Sequence, residues 1–134
     1  MTRFLIDAGV AIHLTSAGID VPDRHRLLAP TLLRSQVLSL LHEAVQRGEV
    51  PAKSARDQLA RINAMPIRLL GDGVLRRRAW DLAGALGWAT TYNAEYIALT
   101  QLQADAFVTL DEELARSVEG LVRLATIAEL LEVP

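Results

Sequence analysis

Residues 4–14, FLIDAGVAIHL, decide the predicted fold, because a single acid joins a short apolar run to a helical one. The apolar run over residues 3–6 ends on Asp7 and is soon followed by Gly9, which is typical of a buried strand. The apolar residues within 10–14 favour the first turns of a helix. The chain therefore begins with a predicted strand, an acid at its end, and a helix.

Helices are predicted farther along the chain from the spacing of apolar residues. The clearest one covers residues 31–47. Its predicted inward face consists of Leu33, Val37, Leu40, Leu41 and Ala44. Other helices are predicted to begin at Pro51, after Asp72 and at Asn93, and Thr126 is predicted to cap a last one.

Short strands are predicted between these helices. They cover residues 67–70, 106–110 and 121–124. Residues 15–30 are predicted as a loop because they contain Gly18, Pro22 and several charges. Short strands that alternate with helices imply a mainly parallel sheet covered on both faces, so we predict an α/β fold in one domain over residues 1–134.

The composition narrows the possible functions. A net charge of −2 gives no overall attraction to nucleic acid, so any such contact must be a local patch. The absence of cysteine excludes disulfides, zinc–thiolate sites and cysteine nucleophiles. We expect a cytoplasmic location, since the chain shows neither a signal-peptide pattern nor a membrane-spanning apolar run. Abundant Arg, Ala and Leu with a single lysine is typical of GC-rich bacterial genomes, such as those of actinobacteria.

Two aspartates, Asp7 and Asp111, each come directly after a predicted strand. Sites in parallel α/β sheets form beyond the carboxyl ends of the strands. Two carboxylates that converge there would suit Mg²⁺ or Mn²⁺, which assist phosphodiester hydrolysis. The alternative is that each acid only caps the following helix or forms a turn.

Four segments, in this order, resemble the signature segments of the PIN-domain family, and above all the VapC-type ribonuclease toxins of toxin–antitoxin pairs. The segments are FLIDAGVAIHL (4–14), APTLLRSQVLSLLHEAV (29–45), LGWATTYNAEYIALTQL (86–102) and ADAFVTLDEEL (104–114). The resemblance extends from residue 3 to about residue 131. It implies a PIN-like three-layer α/β/α sandwich with a mainly parallel, short-stranded sheet.

The resemblance also implies a metal site. In the family, four acidic positions hold one or two divalent metals, Mg²⁺ or Mn²⁺, and the domain cuts RNA. Here these positions fall on Asp7, Gln36, Asn93 and Asp111. Two acids and two amides therefore occupy the catalytic positions, and the acidic site is degenerate. Gly9 stands where the family commonly has Ser or Asn, whereas Thr109 matches the usual Thr-x-Asp pattern.

By this resemblance, Asp7 and Asp111 hold the metal, a metal-bound water attacks phosphorus, and Gln36 and Asn93 position metal-bound waters. An amide keeps the shape of an acid but loses its charge, so metal affinity is expected to fall. Asn93 can instead cap a helix, and Gln36 can simply bond Asp7 or a water. The family further implies a homodimer and a small antitoxin protein as partner.

The remaining charged and aromatic residues indicate a function less clearly. Arg34, near Gln36 in sequence, is expected to meet an RNA phosphate close to the acidic site. The run 76–78 is interpreted as a solvated helix face, because three consecutive arginines fan out around a helix. The aromatic residues Trp80, Trp88, Tyr92 and Tyr96 are interpreted mainly as core or interface. The acids Glu43, Glu95 and Glu113 are interpreted as surface residues.

Two functions are consistent with these residues. The first is a Mg²⁺/Mn²⁺-dependent endoribonuclease that the two amides weaken or inactivate. The second is a non-catalytic PIN scaffold that binds a protein partner or RNA. A small nucleotide-binding module is not favoured, because no Gly-rich phosphate loop follows a predicted strand.

Overall fold

The structure is a computed structural model that describes residues 1–132, so the last two residues of the predicted 1–134 domain lie outside it. The strands of this part are β1 (Arg3–Ile6), β2 (Arg26–Pro30), β3 (Ile67–Leu70), β4 (Ala106–Val108) and β5 (Leu124–Ala125). The helices are α1 (Ala8–Ser16), α2 (Leu32–Gln46), α3 (Ala52–Ala64), α4 (Gly73–Leu86), α5 (Tyr92–Gln103), α6 (Glu112–Ser117) and α7 (Ile127–Leu131).

The five strands form one all-parallel sheet in the order β3-β2-β1-β4-β5. In the central strand β1, Phe4 pairs with Leu27 of β2 on one side and with Ala106 of β4 on the other. Leu5 and Ile6 are fully buried, as expected for a strand covered on both faces. The predicted α/β class is confirmed: a parallel sheet is flanked by helices.

This topology fixes where polar groups can gather. All strands are parallel, so their carboxyl ends lie at one edge of the sheet. Because β1 and β4 are neighbours, Asp7 and Asp111, which follow them in the chain, lie at adjacent positions along that edge. The helix α2 also starts there, directly after β2.

Several predicted boundaries were wrong. Strand β2 lies within the predicted loop 15–30, because its apolar core is only three residues long and pairing with both neighbours stabilises it. Strand β4 ends at Val108, and β5 occupies Leu124–Ala125 instead of 121–124. This last strand is a two-residue strand that, within residues 1–132, pairs with β4 alone, so its own sequence pattern carries little signal.

The predicted inward face of α2 was also partly wrong. Leu33, Val37 and Leu41 are buried, but Leu40 is 41% exposed. The helix α3 packs against α2 on the flank away from Leu40, which leaves that side chain in solvent. Within residues 1–132, no helix has both the length and the apolar character needed to cross a membrane.

Candidate active site at the carboxyl ends of the strands

Asp7 is held firmly at the junction of β1 and α1. It is the N-cap residue of α1, and its Oδ1 accepts the backbone N–H of Val10 at 3.0 Å. Its Oδ2 accepts the hydroxyl of Thr109 at 2.6 Å. Both carboxylate oxygens therefore have a donor, and the side chain is fixed in one orientation.

The environment of Asp7 disfavours its negative charge. Burial raises the pKa of the Asp7 carboxyl above its ordinary value, and the nearby charge of Asp111 raises this pKa further. The hydrogen bonds from Thr109 and Val10 oppose that rise. A carboxylate in this position gains if a positive charge comes near, because a cation offsets both burial and repulsion.

Asp111 has the same local role in a more open place. It is the N-cap residue of α6, and its Oδ1 accepts the backbone N–H of Leu114 at 3.0 Å. Its own backbone N–H donates to Thr109 Oγ1 at 3.1 Å. The side chain is exposed. Thr109 thus joins the two junctions, since its hydroxyl donates to Asp7 and accepts from Asp111.

Gln36 is bonded to a residue that the sequence did not suggest. The hydroxyl of Tyr96 donates to Gln36 Oε1 at 2.5 Å, so the partner of the amide is Tyr96 and not Asp7. Burial raises the pKa of the Tyr96 hydroxyl, and the charge of Asp7 adds to this effect. Tyr96 therefore stays protonated as a donor. The available signal was spacing, because Tyr96 follows Asn93 by three residues, about one helical turn.

Asn93 does not cap α5, which corrects the alternative considered for it. Thr91 is the N-cap residue, because its carbonyl accepts the Glu95 N–H at 3.0 Å and closes the first turn. Asn93 is then the second helical residue and is exposed. Its side chain makes no hydrogen bond to any described part of the chain. An unbonded amide is available for a water or a ligand.

We call the group Asp7, Gln36, Tyr96, Thr109 and Asp111 the acidic site. The structure does not bring Arg34 to it. Arg34 lines a small cavity with Asn63 and Ile67, on the flank of α2 that faces α3 and β3. Its contact with an RNA phosphate stays a prediction. A separate cavity of about 650 Å³, between the ends of α1 and α3, contains none of the predicted site residues.

The donors of the acidic site suit one divalent ion better than two. Within residues 1–132, no three His, Asp or Glu side chains converge. The charged donors are the carboxylates of Asp7 and Asp111. Mg²⁺ is often held by one or two carboxylates, with waters and substrate phosphate completing its shell. The residues therefore fit a single divalent ion, and they do not fit a two-ion centre.

The parallel sheet of five strands, flanked by helices and with an acid after β1 and β4, defines a PIN-like fold. Solved structures agree. PAE2754 from Pyrobaculum aerophilum is similar over 97% of this chain and 93% of its own, with a TM-score of 0.77 and 23% identity. VapBC-1 from nontypeable Haemophilus influenzae gives a TM-score of 0.58 at 13% identity, over 92% of this chain and 97% of its own.

A third similar structure is VapBC2 from Rickettsia felis, bound to a DNA fragment from their promoter. Its TM-score is 0.57 at 13% identity, over 92% of this chain and 98% of the other. VapC is a PIN-domain protein, so these structures agree with the fold that the sequence resemblance implied. No protein-family model and no curated protein sequence matches the chain significantly. At these identities, the similarity establishes the fold.

Proposed function

We propose that this protein is a VapC-like PIN-domain endoribonuclease that cleaves RNA slowly at the acidic site with one Mg²⁺ or Mn²⁺ ion. The observation that carries the proposal is the pair Asp7 and Asp111, linked through Thr109 at the edge of the sheet. A bound cation would relieve the burial and the repulsion that raise the pKa of Asp7. Such an ion activates water and stabilises charge on phosphate.

Thr109 and the residues at the four family positions have distinct proposed parts. Asp7 and Asp111 hold the ion, and Thr109 fixes the orientation of Asp7. Gln36 and Asn93 position waters around it. The activity is slow because two of the four family positions are amides, which bind cations less strongly and are poor general bases near neutral pH.

A second candidate is a PIN scaffold that binds RNA or a protein without cutting. The observation in its favour is the bond from Tyr96 to Gln36, which already occupies the amide oxygen that would face the ion. Because Tyr96 and Gln36 are both neutral, they add no negative charge that a cation would balance on that side of the site.

The proposed partners rest on the similar structures and on the family resemblance. Two of the similar structures are of VapBC, so we propose that a small antitoxin protein binds this chain. We further propose a homodimer, which the family resemblance implies, and a cytoplasmic location. A short open reading frame directly upstream of the gene would support the antitoxin. Its absence, together with a monomeric elution volume in size-exclusion chromatography, would count against both partners.

Cleavage of structured RNAs in Mn²⁺ tests the proposal. We compare the unchanged protein with Asp7→Asn, which keeps an oxygen for the Val10 N–H, and with the double variant Gln36→Glu, Asn93→Asp. We expect slow cleavage that Asp7→Asn abolishes and that the double variant accelerates about tenfold or more, because added ligand charge strengthens cation binding. In calorimetric titration, Mn²⁺ should bind most tightly to the double variant, less tightly to the unchanged protein and least tightly to Asp7→Asn.

The outcomes separate the two candidates. Cleavage only by the double variant would favour the scaffold, because the protein as it stands would then lack activity. Cleavage that persists in Asp7→Asn would show that the acidic site is not responsible. Melting temperatures well above the assay temperature in all three proteins would exclude unfolding as the cause of any difference.

A further inference from the structure

The helix α4 exposes a tryptophan that was expected in the core or an interface. The side chain of Trp80 is 74% exposed, whereas Trp88 is partly buried. A large aromatic side chain in water loses the packing that it would gain elsewhere, and tryptophan is enriched at binding surfaces. Trp80 is therefore a candidate contact residue.

Two arginines lie beside this tryptophan. Arg76 and Arg77 precede Trp80 by four and three residues, so they are its neighbours on the helix surface. Neither makes a hydrogen bond or a salt bridge within the described chain, residues 1–132. Arg78 differs, because it donates to Gln101 of α5 at 3.3 Å. Arg77 and Arg78 line one groove with Asp81, whereas Arg76 and Trp80 do not line it. We call the group Arg76, Arg77 and Trp80 the α4 strip.

One end of the α4 strip lies beside the first turns of α5, which carry Asn93 and Tyr96. Arg76 is close to Glu95 on the first turns of α5: burial raises the pKa of Glu95, and the positive charge of Arg76 opposes that rise. Besides burial and Asp7, the charge of Glu95 raises the pKa of the Tyr96 hydroxyl, so Glu95 also lies near the group that donates to Gln36 in the acidic site. The first turn of α5 is exposed at Tyr92 and Asn93, whereas its middle is buried. A ligand can therefore run from the α4 strip across this turn to the acidic site.

We propose that the α4 strip binds the single-stranded RNA that leads into the acidic site, which rests on the proposed ribonuclease function. Arg76 and Arg77 contact phosphates, and Trp80 stacks on a base. The chain carries a net charge of −2, so RNA must be held by a local positive surface, and two guanidinium groups that make no hydrogen bond within residues 1–132 provide one. Stacking on an aromatic ring tolerates any base, so the strip adds affinity without strong sequence preference.

Tryptophan emission tests this directly. The chain has two tryptophans, so Trp88→Phe leaves Trp80 as the sole emitter. We titrate this variant with a 12-nucleotide oligouridine in EDTA and low salt, which prevents metal-dependent cleavage. We expect the emission of Trp80 to be quenched to a saturating level.

Fluorescence anisotropy of labelled oligouridine gives the affinities. We expect Trp80→Ala to weaken binding about 5- to 100-fold, as is usual for loss of a stacking side chain. Arg76→Ala and Arg77→Ala should each weaken binding and lower the slope of log affinity against log salt by about 1. The matched control is Arg56→Ala on α3, an exposed arginine on a helix that packs against α1 and α2, which should leave the affinity unchanged.

Three results would overturn the proposal. The first is RNA affinity that is unchanged in Trp80→Ala and Arg76→Ala, or absent from the unchanged protein. The second is RNA binding without any change in Trp80 emission. The third is emission that varies with protein concentration alone, which would assign the strip to contact between two copies of the chain.

The ribonuclease proposal can fail separately. If Asp7→Asn cleaves as well as the unchanged protein while Trp80→Ala loses RNA affinity, the acidic site is not catalytic. RNA binding by the α4 strip is then still supported. If Asp7 is required for cleavage while Trp80→Ala binds RNA normally, RNA binding by the α4 strip is refuted. Cleavage at the acidic site is then still supported.

Discussion

The β1–α1 and β4–α6 junctions have the same local design but different surroundings. In both, an aspartate after the strand caps the next helix through a bond of 3.0 Å to the backbone N–H three residues later. Asp7 is partly buried, and its second oxygen accepts the Thr109 hydroxyl. Asp111 is exposed. The cause lies in the sheet, because β1 is central, whereas β4 is covered on its outer side only by the two-residue strand β5.

This difference shows that two interpretations of an aspartate at a strand end, a helix cap and a metal ligand, do not exclude each other. The capping interpretation is confirmed for Asp7 and for Asp111. The same fold also places them close enough for the charge of Asp111 to raise the pKa of Asp7. Local sequence determines the cap, and the position of the strand determines whether the carboxylate also lies in surroundings that disfavour its charge. Metal binding stays a prediction for both.

The largest expected effect comes from removing each aspartate in turn. Asp7→Ala deletes a cap and leaves the Thr109 hydroxyl without its acceptor, so we expect it to lower the free energy of unfolding by about 1–3 kcal/mol, after some relief from removing a buried charge. Asp111→Ala deletes only an exposed cap of a short helix and should lower it by about 0.5–1 kcal/mol. Urea denaturation midpoints give both values. Equal losses would contradict the contrast between the junctions.

Thr109 links the junctions, so its removal should affect both. Thr109→Val keeps the shape but removes the donor to Asp7 and the acceptor for the Asp111 N–H. We expect a loss of about 1–2 kcal/mol in the free energy of unfolding. Thr90→Val, at an exposed residue before α5, is the control and should stay within about 0.5 kcal/mol of the unchanged protein. A similar loss in both variants would mean that the Thr109 bonds contribute nothing specific.

The contrast also shows what sequence could and could not predict. The β1–α1 junction was predicted well, because the apolar run, the acid and the helical run are all local signals. The bond from Tyr96 to Gln36 joins residues 60 positions apart, and the spacing of Tyr96 from Asn93 indicates only that Tyr96 lies on the same side of its helix, not which residue it bonds. Strand β2 was missed for a related reason, since its stability comes from pairing with β1 and β3.

The wrong capping alternative for Asn93 has a simpler cause. Asn and Thr both favour N-cap positions, and the sequence places Thr91 only two residues before Asn93. N-cap preference alone does not decide between Thr91 and Asn93. The hydrogen bond from the Glu95 N–H to the Thr91 carbonyl does. The four family positions were found from motif order, but the exposure and the bonds of their side chains required the fold.

The raised pKa of Asp7 predicts a pH dependence of stability with a definite sign. The folded state binds the Asp7 proton more tightly than the unfolded state, so the stabilisation is fully present below about pH 3.8 and is lost as pH rises through the folded pKa. The stability of the unchanged protein relative to Asp7→Asn should therefore fall as pH rises over this window. Denaturation at several pH values between about 3 and 7 measures the fall.

A control for this titration uses the same junction. In Thr109→Val the fall should extend to higher pH, because the hydrogen bond that lowers the pKa of Asp7 is gone. A difference that stays flat with pH would mean that Asp7 keeps an ordinary pKa, and the contrast with the exposed junction would then be one of hydrogen bonding alone.

The smallest expected effect concerns Gly9, which lies two residues after Asp7, as Glu113 lies two residues after Asp111. A Cβ at Gly9 would sit 3.6 Å from Asp7 Oδ1, an ordinary contact, and the residue lies within α1. We expect Gly9→Ala to raise the free energy of unfolding by up to about 0.5–1 kcal/mol, because alanine loses less backbone freedom in a helix. Thermal denaturation measures it, with Gly18→Ala as a destabilising control at a φ of 65°. The β4–α6 junction carries Glu113 at the position that corresponds to Gly9. A loss of stability in Gly9→Ala would show that the β1–α1 junction does not tolerate a side chain there.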